Sequence, residues 1–266
     1  MTMTEEILTS YEEKYQFLRL TSGQFLERRI STLYGIDSNA MRALDLVTKE
    51  MCAEKGFTRD DGQDYYVHCT DVANTIISFG IKDEDVVCAA LLHDLIEDVK
   101  GYTEEAVAGL FNARVAHLVM LVTKLPDRDY HQPEVINEYL DNISKDMYAA
   151  AIKTADRMHN MMTLSEKTFE AKVRKCLETE TYYLPFFKKC RKLYPRYENL
   201  FYAARTQIQP LIYEIKTFYA EIEKLRLENA ELREQIEDLK GDGAQWYTAL
   251  FSISQKPMWN KIEENC

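Results

Sequence analysis

The stretch Ala89-Ala90-Leu91-Leu92-His93-Asp94-Leu95-Ile96-Glu97-Asp98 decides how this chain is read. Its first half is apolar, its second half carries a His-Asp pair, and an acidic pair follows at once. No Gly or Pro interrupts it, so the stretch predicts one buried helix. At helical periodicity His93 sits one turn from Glu97 and Asp94 one turn from Asp98, about 6 Å along the axis. Four ionisable groups thus share adjoining faces of an apolar helix, a pattern that a helix end turning its charges to water also produces.

Two further segments extend that reading. Upstream, Tyr65-Tyr66-Val67-His68 places a second histidine ahead of the helical Asp71-Val72-Ala73-Asn74-Thr75-Ile76-Ile77. Downstream, Ala150-Ala151-Ile152-Lys153-Thr154-Ala155-Asp156-Arg157-Met158-His159-Asn160 carries another apolar helix into an aspartate. A His, a His-Asp pair and a distant Asp, all on helices, resemble the ligand pattern of the HD phosphohydrolase superfamily. The chain is most similar to the hydrolase domain of RelA/SpoT-type alarmone enzymes. That resemblance rests on Arg59, His68, His93 to Asp98, Thr123-Lys124-Leu125, Asp156 to Leu164, and Glu178-Thr179 leading to Tyr183-Leu184-Pro185, over roughly residues 40 to 190.

The resemblance implies a manganese ion held by His68, His93, Asp94 and Asp156. Two imidazoles and two carboxylates suit a divalent cation, and by ligand type alone iron, cobalt and zinc stay open. Glu97 and Asp98 are assigned to positioning and deprotonating the attacking water, as the family also implies. The family's pattern places Arg59 against the purine, where a planar guanidinium stacks well, and Asn160 and Thr163 at the ribose. Where the family often carries a second basic residue after the arginine, this chain has Asp60 and Asp61. Lys175, with Arg174, is a candidate for binding phosphate. His117, His131 and His159 are read as structural.

Composition supports a folded, water-soluble protein. Among 266 residues the net charge is −11, which opposes indiscriminate attraction to DNA. The charge is uneven, because residues 167 to 205 hold ten Lys or Arg against four Glu. No apolar run approaches a membrane span, and the polar start Met1-Thr2-Met3-Thr4-Glu5-Glu6 is unlike a secretion signal, so a cytoplasmic location is expected. The six cysteines form no C-x-x-C pair and are read as reduced, mostly packed thiols.

The expected fold class is all-α: an HD-domain helical bundle with a C-terminal coiled-coil helix. Residues 1–36 form an N-terminal helical extension, with Ile7, Tyr11, Tyr15, Leu18 and then Phe25, Leu26, Ile30, Leu33 at helical spacing. Residues 37–205 form the pyrophosphohydrolase domain. Its first helix is predicted over Ser38 to Lys55, capped by Ser38 or Asp37 and stopped by Gly56. Residues 206–243 form the coiled coil and 244–266 a tail. With Ile215 at a, the seam runs Phe218, Ile222, Leu225, Asn229, Leu232, Ile236, Leu239, and the lone polar a residue Asn229 favours a parallel pair. Facing g and e positions then pair Glu221 with Arg226 and Glu228 with Arg233. A homodimer through residues 211–239 is expected.

The functional expectation is a small, hydrolysis-only enzyme that removes the 3′-pyrophosphate of (p)ppGpp. Competing readings are the same chemistry on (p)ppApp, or on pyrophosphorylated tRNA 3′ ends as an antitoxin to a small alarmone-synthetase-like toxin. The Asp60-Asp61 departure and the basic segment motivate them. Action on dNTPs or nucleoside monophosphates is disfavoured by Arg59 and the Asp156 to Thr163 pattern. A reading of another class is a non-catalytic coiled-coil binding protein.

Overall fold

The computed structural model describes residues 23–164 and 167–241. Among these residues the secondary structure is helical, apart from one isolated antiparallel bridge between Thr58 and Asp64 that closes a loop. The all-α expectation is therefore met. Residues 23–34 (α1) bury Leu26 and Ile30, and expose Phe25 and Leu33. The proposed helix at Ile7 to Leu18, and the tail aromatics Trp246, Phe251 and Trp259, lie outside the described residues.

The core is assembled from helices whose ends are marked by side-chain caps. Helix α2 (Asn39–Glu50) opens on Ser38, whose Oγ accepts from the Met41 amide at 3.2 Å. It stops at Glu50, earlier than the expected Lys55, because the chain turns at Met51 into a short 3₁₀ segment, Ala53–Lys55. Gly56 then takes φ +87°, a left-handed conformation that glycine adopts without penalty. Helices α3 (Tyr66–Ser78), α4 (Glu84–Leu92) and α9 (Met147–Met162) form the centre, with α3 packed on both α4 and α9. Every residue of α4 from Val86 to Leu92 is buried, which explains its uninterrupted apolar composition.

The stretch that opened the sequence reading is not one helix. It divides into α4 and a single turn, α5 (Leu95–Asp98), with His93 and Asp94 at the break. Successive residues of a continuous helix point about 100° apart. Asp94, at φ −100° and ψ −1°, turns the chain enough to bring both side chains to a common centre.

Around this centre lie α6 (Glu104–Leu110), α7 (Ala113–Val122), α8 (Pro133–Ile143), α10 (Phe169–Glu178) and α11 (Leu184–Leu193), with a π-helical turn at Thr179–Tyr183 between the last two. Asp146 caps α9 by accepting from the Tyr148 and Ala149 amides, and so sets the register of the helix that carries Asp156.

Helix α12 (Glu198–Gly241) is continuous through residue 206 and past Pro210. The chain divides into two compact units, one ending at Ile215 and one beginning at Lys216. In the first, α12 buries Leu200, Phe201, Ala204, Ile208 and Ile212. In the second, Phe218, Leu225, Leu232 and Ile236 are exposed along the helix. No described helix is long and apolar enough to cross a membrane. Cys69, Cys88, Cys176 and Cys190 are buried free thiols and Cys52 is a half-buried one.

Candidate metal centre and nucleotide cavity

Three parts of the core meet at one point: α3 supplies His68, the α4–α5 break supplies His93 and Asp94, and α9 supplies Asp156. The two histidine Nε2 atoms are 3.1 Å apart. Asp94 Oδ2 lies 3.1 Å from His93 Nε2 and 3.5 Å from His68 Nε2. Asp156 Oδ1 lies 3.3 Å and 3.9 Å from His68 and His93 respectively. His68, His93 and Asp156 form a group whose ligand atoms all lie within 4.8 Å of one another, and Asp94 adjoins it through both imidazoles.

The hydrogen bonds behind the rings determine what they present at the front. His93 Nδ1 sits 2.9 Å from the Ala90 carbonyl, which can only accept, so Nδ1 holds a proton and in the neutral ring Nε2 keeps its lone pair. His68 Nδ1 meets His159 Nδ1 at 2.8 Å, and His159 Nε2 meets the Asp71 carboxylate at 3.1 Å. A proton on His159 Nε2 satisfies Asp71, so His159 Nδ1 accepts from His68 Nδ1 and His68 Nε2 is also left bare. Two lone pairs and two carboxylates then face one another in a buried space, an arrangement that repels itself unless a cation sits among them. Ligands about 2.1 Å from a shared ion stand roughly 3.0–3.4 Å apart in octahedral or tetrahedral arrangements, which matches the closer spacings here. The residues fit a divalent metal.

Electrostatics agree. Burial opposes a charge on His93, but the neighbouring Asp94 outweighs it and, with Asp156, raises the imidazole to about 9. A proton and a metal ion thus compete for the same field. Burial would push Asp156 up, yet Lys153 and the two imidazoles hold its carboxyl well below the usual range. Lys153 Nζ lies 2.9 Å from Asp156 Oδ2 and 5.7 Å from the Tyr139 ring centroid. The Asn160 amide donates to Asp156 Oδ1. Asp94 Oδ2 accepts from the Tyr65 hydroxyl at 2.8 Å.

A cavity of about 320 Å³ opens on this centre, lined by Arg59, Tyr65, Asp94, Glu97, Lys124, Lys153, Asp156, Arg157, Asn160, Lys167 and Lys175, with Thr58 and Asp60. Six of these side chains are cationic, which suits a ligand rich in phosphate. The sequence-derived residues Arg59, Asn160 and Thr163 are brought together. Arg59 Nη2 donates to Thr163 Oγ1 at 2.7 Å and both Nη atoms reach Asn160 Oδ1 at 3.3 Å. Arg59 also faces the Tyr65 ring, its guanidinium carbon 5.6 Å from the centroid. Glu97 lines the cavity and accepts from the Lys124 amide at 2.9 Å. Asp98 is not among the lining residues. Burial raises its carboxyl to about 6, with Asp94 and Glu97 adding to the shift. Burial lowers Lys175 to about 8, reinforced by Arg157, and Lys175 reaches Glu178 at 3.4 Å. A second cavity of about 880 Å³ shares Glu97, Lys124, Lys167 and Lys175 with the first, and adds Arg128, Arg174, Tyr130 and Tyr182.

Several of these groups were not legible in advance. Lys153 and Arg157 stand in the quoted stretch 150–160, where the sequence pattern assigns them no role. The i,i+3 spacing of Lys153 and Asp156 on an otherwise apolar helix was the available signal. His159, read as structural, stands directly behind a ligand. Asp60, which departs from the family's pattern, pairs with Lys167.

The HD domain pattern matches residues 43–189, more than half of the chain. The chain belongs to the HD-domain family. This HD domain is 37% identical over 138 residues to the guanosine-3′,5′-bis(diphosphate) 3′-pyrophosphohydrolase of Haemophilus influenzae, covering 50% of this chain and 20% of that one. It is 40% identical over 125 residues to a probable GTP pyrophosphokinase of Mycobacterium leprae, covering 46% of this chain and 16% of the relative. The chain thus spans a fifth or less of the length of these curated relatives. A solved structure of a metazoan ortholog of SpoT that hydrolyzes ppGpp shares the fold, with a TM-score of 0.51 and 22% identity over 67% of this chain and 96% of that one. HD-domain membership is consistent with the divalent-metal site built above.

Proposed function

We propose that this HD domain, placed at residues 37–205, hydrolyses the 3′-pyrophosphate of a guanosine alarmone, (p)ppGpp, releasing pyrophosphate and GDP or GTP. The observation that carries the reading is the convergence of His68, His93, Asp94 and Asp156, of which the two aspartates line a cationic cavity together with Arg59 and Asn160. The relatives named above, one of them a 3′-pyrophosphohydrolase, support the choice of substrate.

The four ligands would hold manganese. A divalent ion bound there supplies positive charge to phosphoryl oxygens and makes nearby water more acidic. Glu97, at the cavity wall, takes the proton of the attacking water, with Asp98 behind it sustaining the negative field. The water oxygen bonds to phosphorus, the bond from phosphorus to the 3′ oxygen breaks, and that oxygen leaves with a proton from solvent, to which Glu97 returns the one it took. Lys153, Lys124 and Lys175 offset the charge that gathers on the phosphates, while Arg59, Asn160 and Thr163 fix the nucleoside.

Residues 206–243 form the coiled-coil helix and pair two chains in parallel through residues 211–239, with the extension at 1–36 ahead of the HD domain and a tail at 244–266. Support comes from the exposure of Phe218, Leu225, Leu232 and Ile236 along one continuous helix. Arg226 and Glu228 make intrahelical pairs with Glu223 and Lys224, contacts that a partner helix would share or replace. A cytoplasmic setting suits this substrate.

The test is pyrophosphate release from ppGpp by the manganese-loaded full chain, run beside ppApp and pyrophosphorylated tRNA. Faster turnover of ppGpp supports the proposal. A chain that binds the metal yet leaves ppGpp intact overturns it.

A further inference from the structure

The two metal-facing histidines are braced differently. His93 leans on the Ala90 carbonyl, a backbone group three residues away that comes with the helix. His68 has no such support: its Nδ1 meets a side chain, His159 Nδ1, from α9, ninety-one positions along the chain. His159 in turn meets Asp71, one turn beyond His68 on α3, at 3.1 Å. The rings of His68 and His159 lie 4.8 Å apart between centroids, tilted by 51°. His68 is fully enclosed, His159 is mostly buried, and the Asp71 side chain is about a third exposed.

We propose that His159 and Asp71 are positioning residues that dictate which nitrogen of His68 carries its proton, and thereby set the affinity of the metal centre. The proton logic runs inward from the surface. Asp71 can only accept, so it calls for a proton on His159 Nε2. A neutral His159 then offers a lone pair at Nδ1, the one place where the His68 Nδ1 proton can go. The His68 Nε2 lone pair is consequently directed at Asp94, Asp156 and His93. Were His159 absent, the His68 ring would be free to carry its proton at Nε2, donate to Asp156 at 3.3 Å, and so close the site to a cation. Partners behind a metal-ligating histidine are typically worth about 10–100-fold in metal affinity.

The inference rests on the metal-site reading but not on the identity of the substrate, and the test is made without substrate. The chelator-stripped full chain is titrated with manganese by calorimetry, alongside His159→Leu, His159→Asn and Asp71→Ala. Leucine keeps the bulk and removes the acceptor, whereas the Asn amide oxygen sits near the place of Nδ1 and restores one. His159→Leu is expected to bind manganese about 10–100-fold more weakly. His159→Asn should recover most of that loss, and Asp71→Ala should weaken binding in the same direction by less. Circular dichroism of the metal-free variants checks that each has folded. Binding by folded His159→Leu as tight as by the natural chain overturns the relay, as does a His159→Asn variant no better than His159→Leu. Should His159→Leu not fold, Asp71→Ala decides alone: unchanged affinity overturns the proposal. A natural chain that takes up no manganese, zinc or iron instead refutes the metal site itself.

Discussion

Replacing Arg157 with Met tests the electrostatics behind the cavity. Arg157 is buried and its two Nη atoms grip Glu178 at 3.0 and 3.1 Å, while its guanidinium carbon lies 3.5 Å from the centre of the Tyr183 ring. Burial alone would push the Glu178 carboxyl up. The arginine overrides that and brings it from 4.5 to about 2. Such a shift corresponds to a ceiling of roughly 3 kcal/mol of stability, at about 1.4 kcal/mol per pKa unit. Lys175 and Lys124 share in the effect, and the Glu178 side chain retains 27% exposure, so water screens part of it. Arg157→Met should therefore cost about 2 kcal/mol at neutral pH, somewhat less than the 3–5 kcal/mol of a wholly buried broken pair.

The pH dependence gives the prediction its edge. Because the folded carboxyl titrates below the unfolded one, its contribution is complete above about 4.5 and is lost as pH falls towards about 2. By one unit below the unfolded value, roughly 1.4 kcal/mol of it should have gone. Urea unfolding at stepped pH should show the gap between natural chain and variant narrowing between pH 5 and 3. A cycle with Glu178→Gln should be non-additive, the double variant being more stable than the summed losses imply. A gap that stays constant with pH, together with additive losses, would refute the reasoning.

Other perturbations probe the site more directly. Glu97→Gln should lower turnover about 10²–10⁴-fold while manganese binding, read by calorimetry, stays near that of the natural chain. The rate should fall on the acid side, with a limb at or below about pH 6, since Asp98 titrates there in the metal-free chain and a bound cation can only lower it. Loss of that limb in Asp98→Asn, seen in kcat/KM against pH, is the expected result, and an unmoved limb would remove Asp98 from the chemistry. Arg59→Ala should raise KM about tenfold with kcat little changed, since it removes nucleoside binding rather than a reacting group. Leu232→Glu should yield a monomer by light scattering with turnover retained, whereas an unaltered mass would dismiss the seam.

Much of the architecture was legible because it follows from local rules. Ser38 as a cap emerges from local pattern, and the meeting of His68, His93, Asp94 and Asp156 is what motif and resemblance lead one to expect. What stayed hidden depends on contacts between distant segments. The break at His93-Asp94 carries no Gly or Pro to announce it, because it is set by the site's need for two adjacent side chains at one point. Lys153 resembles any helical lysine until Tyr139 and Asp156 close around it. His159 looked structural because its partner, His68, lies in another helix altogether. The early end of α2 and the start of α12 at Glu198 likewise reflect tertiary packing overriding propensity.

The dispersal of the ligands over α3, the α4–α5 turn and α9 has a bearing on biogenesis. Any one fragment of an unassembled polypeptide offers at most two donors, the adjacent His93 and Asp94, too few to retain a cation against free solvent. Only when α9 docks against the other two does the full coordination set exist, after the entropy of a long loop closure has been overcome. Metal uptake on refolding is therefore expected to follow the docking of α9.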